Sequence, residues 1–201
     1  MSTPDYLTSV ELRAVLRDDG SDPDADSTLL ARAATAASRW VDRHCGRFFY
    51  LTTTPTIRYL RPAAAGLLLP GDGAGTPTVE TTTDDGASWD TWAATDFVCE
   101  PTARFDAEPW TRIRAVGDLR FPMTLTQGAR VTATWGWPAI PAPVVQATQI
   151  AAVVFYRSRD LTGTTTGFDE SNPAGTDLLN LAVALLADYR HPNLPAPAAA
   201  G

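Results

Sequence analysis

The chain has 201 residues, 44% of them hydrophobic, with a formal charge of −7 and a pI near 4.7. That length and apolar content suit one domain, or a domain carrying an insertion, and exclude a disordered tail. The negative charge argues against a surface that grips nucleic-acid backbones, which needs clustered cations, and makes a protein the default partner. All sixteen basic residues are arginine, a coding bias that carries no function by itself.

The opening residues, MSTPDYLTSVE, carry acid and no apolar run, as expected of a chain without a secretory leader. Thr8 with Glu11 forms a capping box, and Leu7 with Leu12 stands at the positions of a hydrophobic staple. They predict a first helix over 8–17. Residues 18–27 read as an acidic turn that caps a second helix over 27–45. Leu30, Ala33, Ala34, Ala37, Trp40 and Val41 make its apolar stripe, Arg32, Arg39 and Arg43 another face, and Gly46 its end.

From about 48 to 137 the pattern changes to short β-branched and aromatic runs between Gly, Pro and Asp turns, as small antiparallel strands require. The runs are IRYL (57–60), TVETTT (78–83), FVCE (97–100), WTRIRAV (110–116) and ARVTATW (129–135), with Asp85-Gly86 the clearest hairpin turn. Pro138, Pro141 and Pro143 then rule out regular sheet and predict a third helix over 143–158. It is apolar nearly all round, which implies burial on more than one side. A polar stretch, 161–175, precedes a fourth helix over 176–190 capped by Thr176, and 191–201 reads as a flexible Pro/Ala tail. The expected fold is α+β: a four-helix frame from 1–50 and 141–190 with an inserted antiparallel β-rich module over 51–140.

Few groups suggest chemistry. Asp22, Asp24 and Asp26 have the spacing of a calcium loop, but Ser27 and Ala33 replace its glycine and its bidentate glutamate. Gly71, Gly73 and Gly75 lack the lysine and helix of a phosphate cradle, and read as a flexible hairpin tip. His44 and Cys45 are helix neighbours about 100° apart, so they fit a C-terminal cation and a small buried residue better than a catalytic pair. Cys45, Cys99, His44 and His191 are too scattered for a zinc site or disulfide scaffold. No catalytic, cofactor or metal residue is expected, and no run approaches the about 20 apolar residues of a membrane span. Six tryptophans suit core or interface anchoring, Trp89 and Trp92 offering the alternative of a carbohydrate-binding β module.

The order of elements resembles the head-tail connector, or adaptor, proteins of long-tailed bacteriophages, particularly those infecting actinobacteria. The resemblance runs over about 5–190 and rests on YLTSVELRAVL (6–16), RWVDRHCGRFF (39–49) and TWGWPAIPAPVVQATQIAA (134–152). It departs from the family pattern at TGTTTGFDESNPAGT (162–176), where a short β-like run is usual. It implies a non-enzymatic subunit of a ring, typically twelvefold, at the head-tail neck of a virion assembled in the host cytoplasm. That ring docks beneath the portal protein, receives a downstream stopper or tail-completion protein, and passes double-stranded DNA without sequence-specific binding.

A ring needs two different complementary patches on each subunit. Arg32, Arg39 and Arg43 of one copy facing Asp18, Asp19 and Asp22 of the next is one candidate, with Trp135 and Trp137 as further interface candidates. Phe168, Asp169 and Glu170, and Pro192 and Leu194 in the tail, are candidates for portal contact or the channel.

Overall fold

The computed structural model describes residues 3–16, 23–102, 108–124, 126–158 and 173–191. The chain divides into two compact units, Met1–Phe48 with Ile140–Gly201, and Phe49–Ala139.

The first unit is helical. α1 (Ser9–Leu16) opens on the expected capping box: Glu11 N–H donates to Thr8 Oγ1 at 3.2 Å, and Thr8 N–H to Glu11 Oε2 at 2.8 Å. α2 (Pro23–Cys45) begins four residues before the predicted start, because Pro23 occupies a first-turn position where its missing N–H costs nothing. Asp24 and Asp26 are therefore helical, which removes the calcium-loop geometry. Gly46, at φ 64°, ends the helix as expected.

α3 (Ala142–Arg157) starts after an extended Pro141 with proline in its first turn. α4 (Pro173–Leu185) starts three residues before the predicted cap, again at a proline, and gives way to a 3₁₀ turn, Ala187–Tyr189. Leu7, Leu12, Leu30, Ala33, Ala34, Ala37, Ala151, Ala152 and Tyr156 form the core. Its many alanines let the helix backbones approach closely. Two buried hydroxyls donate back along their own helices, Ser38 to Ala34 O at 2.9 Å and Thr148 to Val144 O at 2.8 Å.

The second unit is β-rich: β1 (Thr56–Leu60), β2 (Leu67–Leu68), β3 (Gly73–Thr81), β4 (Asp90–Thr91), β5 (Phe97–Glu100), β6 (Arg112–Ala115) and β7 (Ala129–Trp135). All pairings are antiparallel, in sheets ordered β1-β7-β3-β4 and β2-β6-β5. In β7 burial alternates strictly, so Ala129, Val131, Ala133 and Trp135 face the core. Asp85 and Gly86 both have positive φ, at 55° and 101°, but their turn sits in an eight-residue connection and not in a tight hairpin.

The glycine-rich stretch departs from expectation. Gly73 and Ala74 are buried at the start of β3, and Gly73 bridges to Trp110. Gly73 makes room for the Trp110 indole instead of forming part of a flexible tip.

Candidate functional site

Among the described residues no group of three or more His, Cys, Asp or Glu side chains could hold a metal ion. Cys45 is fully buried and its thiol is pushed up to about 12, chiefly by that burial, so no thiolate forms near neutrality. His44 stacks on Trp40 with centroids 5.4 Å apart. Burial, and then the charge of Arg190, lowers its pKa, so it is neutral at pH 7 and not the helix-end cation expected from sequence.

The arginines of α2 separate. Arg39 is committed within its own unit: it donates to Pro4 O at 2.6 Å, pairs with Asp42 at 3.1 Å and Asp5 at 3.7 Å, and lies 5.8 Å from the Tyr6 ring centroid. With Tyr6 N–H donating to Ser38 Oγ, the Tyr6 hydroxyl to Asp42 Oδ1 and Thr35 to Asp5, residues 4–6 are strapped along α2. Arg32 and Arg43 are exposed. Asp18, Asp19, Asp22, Phe168, Asp169, Glu170, Pro192 and Leu194 lie outside the described residues.

The tryptophans named as interface candidates are internal. Trp135 is 1% and Trp137 2% exposed. Trp135 donates Nε1–H to Thr56 O at 2.9 Å beneath the Arg58 guanidinium, which stands 3.9 Å from its ring centroid, and Trp137 packs on Phe49. Such burial leaves them no face to offer a neighbour. They anchor the core of their own unit.

Trp89 and Trp92 are only half-buried, and each stacks on one partner. Arg130 lies 4.5 Å from the Trp89 ring centroid while pairing bidentately with Glu80 at 2.7 and 2.6 Å, and Trp92 stacks on Phe121 at 4.6 Å. Each indole therefore already has a ring or cation partner within its own unit.

Among the exposed apolar side chains of the described residues, two groups have a definite shape. One is a shallow groove of about 250 Å³ in the first unit, lined by Val15, Gln146, Gln149, Ile150, Val153 and Leu178. The other is the loop 116–124 of the second unit, with Val116, Leu119 and Met123 exposed. The all-round apolar character of α3 hinted at the groove. Nothing local marked the loop.

No protein-family model matches the chain, and neither does any curated protein sequence. Its fold does have matches among solved structures. A chain in the neck of an empty gene transfer agent (GTA) particle, computed with C6 symmetry, superposes with a TM-score of 0.56 at 18% identity, covering 94% of this chain and 92% of that one. A chain in the neck of the native particle, computed with C12 symmetry, gives 0.52 at 19% identity, with 97% and 98% covered. A chain from the virion of the native particle gives 0.54 at 21% identity, with 97% and 95% covered. The α+β fold is thus shared, over 94–97% of this chain, with chains of gene transfer agent particles.

Proposed function

We propose that this chain is a structural subunit of a virion neck: a head-tail connector (adaptor) of a long-tailed phage, of the kind that infects actinobacteria. Twelve copies form a ring beneath the portal protein, with a stopper or tail-completion protein on the other side. The observation that carries this reading is the near-complete mutual coverage with chains from GTA necks. A fold shared over one sheet or one helix pair would be common, whereas here both units match together.

Twelve copies at −7 carry −84 in all. An acidic channel wall repels the DNA backbone, so DNA slides past without being held. Between copies, the exposed Arg32 and Arg43 face the acidic 18–22 segment of the neighbour, while Arg39 is already engaged by Asp42 and Asp5. The helical unit forms a frame and the β unit an inserted module. The carbohydrate-binding alternative loses support because Trp89 and Trp92 are both stacked internally.

The test is a phage lacking this gene. Filled heads without tails, and restoration of tails by the gene in trans, are the expected outcome. Normal tailed particles would sink the reading.

A further inference from the structure

The groove on the helical unit draws Val15 from α1, Gln146, Gln149, Ile150 and Val153 from α3, and Leu178 from α4. At about 250 Å³ it falls below the roughly 300–1,000 Å³ of pockets that enclose a small ligand, and suits one or two inserted side chains. Val15 is 45% and Leu178 37% exposed, and Leu181, three residues along the same helix face, is 51% exposed. Among the described residues these apolar side chains are exposed.

The loop 116–124 has the opposite shape, and it is fixed. Val116 N–H donates to Asp96 O at 2.9 Å, and Phe121 N–H to Ala65 O at 2.6 Å with its ring stacked on Trp92. The Arg120 guanidinium donates to Gly117 O at 3.0 Å and Leu119 O at 2.7 Å. The Pro122 carbonyl fits so closely over Gly128 that a Cβ there would stand 1.9 Å from its oxygen. Scattered exposed apolar residues need no explanation. Leu119 at 41% and Met123 at 57%, however, are held out on a loop already ordered, so binding through them loses little further entropy.

We propose that, between adjacent copies in the neck ring, the 116–124 loop of one chain seats Leu119 and Met123 in the α1–α3–α4 groove of the next. The proposal rests on the neck reading. A ring closed by one repeated contact needs a patch that gives and a different patch that receives. Here the 116–124 loop is an apolar projection and the α1–α3–α4 groove an apolar recess. Charge favours a second copy as the occupant: the groove lining has no ionised residue, only two glutamine amides, on a chain of net −7. Copies therefore meet there without like-charge repulsion, while an acidic peptide or a DNA phosphate finds no countercharge. The unbranched Met123 adapts to an irregular recess, and the two amides can donate to loop carbonyls.

Photo-cross-linking in assembled particles tests this, with p-benzoylphenylalanine replacing Met123 and chains of two masses present so that links between copies are distinguished from links within one. Links between copies to peptides of α1, α3 or α4 are expected. Met123→Asp, at an exposed position, should leave the melting temperature of the free chain unchanged yet lower the number of copies per particle about tenfold, with Met123→Leu retaining them. Links confined to one chain, links outside the three helices, or normal incorporation of Met123→Asp would each overturn the proposal. A chain missing from purified particles would defeat the neck reading and this proposal together. A chain present, but linked elsewhere, defeats this proposal alone.

Discussion

Gly73 and Trp110 exchange both backbone hydrogen bonds, each N–H donating to the other's carbonyl at 2.9 Å, and the indole occupies the space a Cβ on Gly73 would need. That Cβ would fall 2.2 Å from Trp110 Cη2, and Trp110 is fully buried against Trp135, so the ring has nowhere to go. Gly73→Ala should therefore destabilise the β unit by about 3 kcal/mol, at the upper end for overpacking, read as a lower urea midpoint. Gly66, whose Cβ would meet nothing within 4 Å, is the control: Gly66→Ala should cost far less. Equal midpoints for the two variants would refute the account.

This pair also marks where sequence reading stopped. The glycines of PGDGAG looked like a mobile tip because their partner, Trp110, is some thirty-five residues away in the chain. β2 and β4 are two residues each, too short to carry any alternation. The stripes of α2 and α3 and the alternation of β7 were legible because one buried face repeats over several turns or pleats. The start of α2 was not, since an acidic, proline-containing stretch reads equally as turn or as first helical turn. Trp135 and Trp137 looked like interface residues because composition does not distinguish a tryptophan that faces inward. Of the groove only the all-round apolar character of α3 is legible, because its walls come from positions 15, 146–153 and 178, and only packing brings them together.

Across the outer face of the larger sheet, Tyr59, Arg130 and Glu80 stand in register, with Arg130 stacked on Trp89. The hydrogen bonds from Arg130 hold the Glu80 carboxyl below its ordinary range. A lowered folded pKa stabilises above the unfolded value, near 4.5, and that contribution is lost as pH falls through the folded one. Glu80→Gln should lower stability at neutral pH and flatten the acid limb of the profile. A double-mutant cycle with Arg130→Met isolates the pair, and a coupling that vanishes at pH 7 would count against it.

The two cysteines should react differently. Cys45 is buried with its thiol raised to about 12, whereas Cys99 is partly exposed in β5. Iodoacetamide at pH 8 should modify Cys99 faster in the native chain and both equally in denaturant, by mass spectrometry. Rapid native labelling of Cys45 would mean that the end of α2 opens readily.

The strap over α2 depends on Tyr6, whose hydroxyl donates to Asp42 while its own N–H reaches Ser38 Oγ. Tyr6 is 5% exposed, so Tyr6→Phe keeps the packing and removes one donor from a half-buried carboxylate. The expected cost is about 1–3 kcal/mol, with faster amide exchange over residues 4–8. Burial raises the Asp42 pKa despite the Tyr6 hydrogen bond and the nearby Arg39. A raised carboxyl favours the fold while protonated, so its contribution is lost as pH climbs from 3.8 through the folded value. Asp42→Asn should therefore remove that loss while keeping an oxygen to accept from Tyr6. If Asp42→Asn unfolds the strap at every pH, the charge on Asp42 is required for Arg39 and the sign argued here is wrong.

His44, two residues further along the same helix, supplies the opposite slope. Burial first, and Arg190 second, favour its neutral form, so the folded pKa lies below the ordinary value of 6.5. The unfolded chain then binds the extra proton, and stability present above 6.5 is lost as pH falls toward the folded value. Its ring stacks on Trp40, which in turn meets Phe155 of α3 edge-on at 6.4 Å, so protonation would set a desolvated cation at the seam between α2 and α3. His44→Phe keeps a ring against Trp40 and removes the titration, and should flatten the stability profile below pH 6.5 without loss at pH 8. Arg190→Gln, lifting the second cause alone, should move the His44 titration upward in an NMR experiment while leaving most of its depression in place. A His44 resonance titrating at or above 6.5 would show that the end of α2 is wetter than this packing allows.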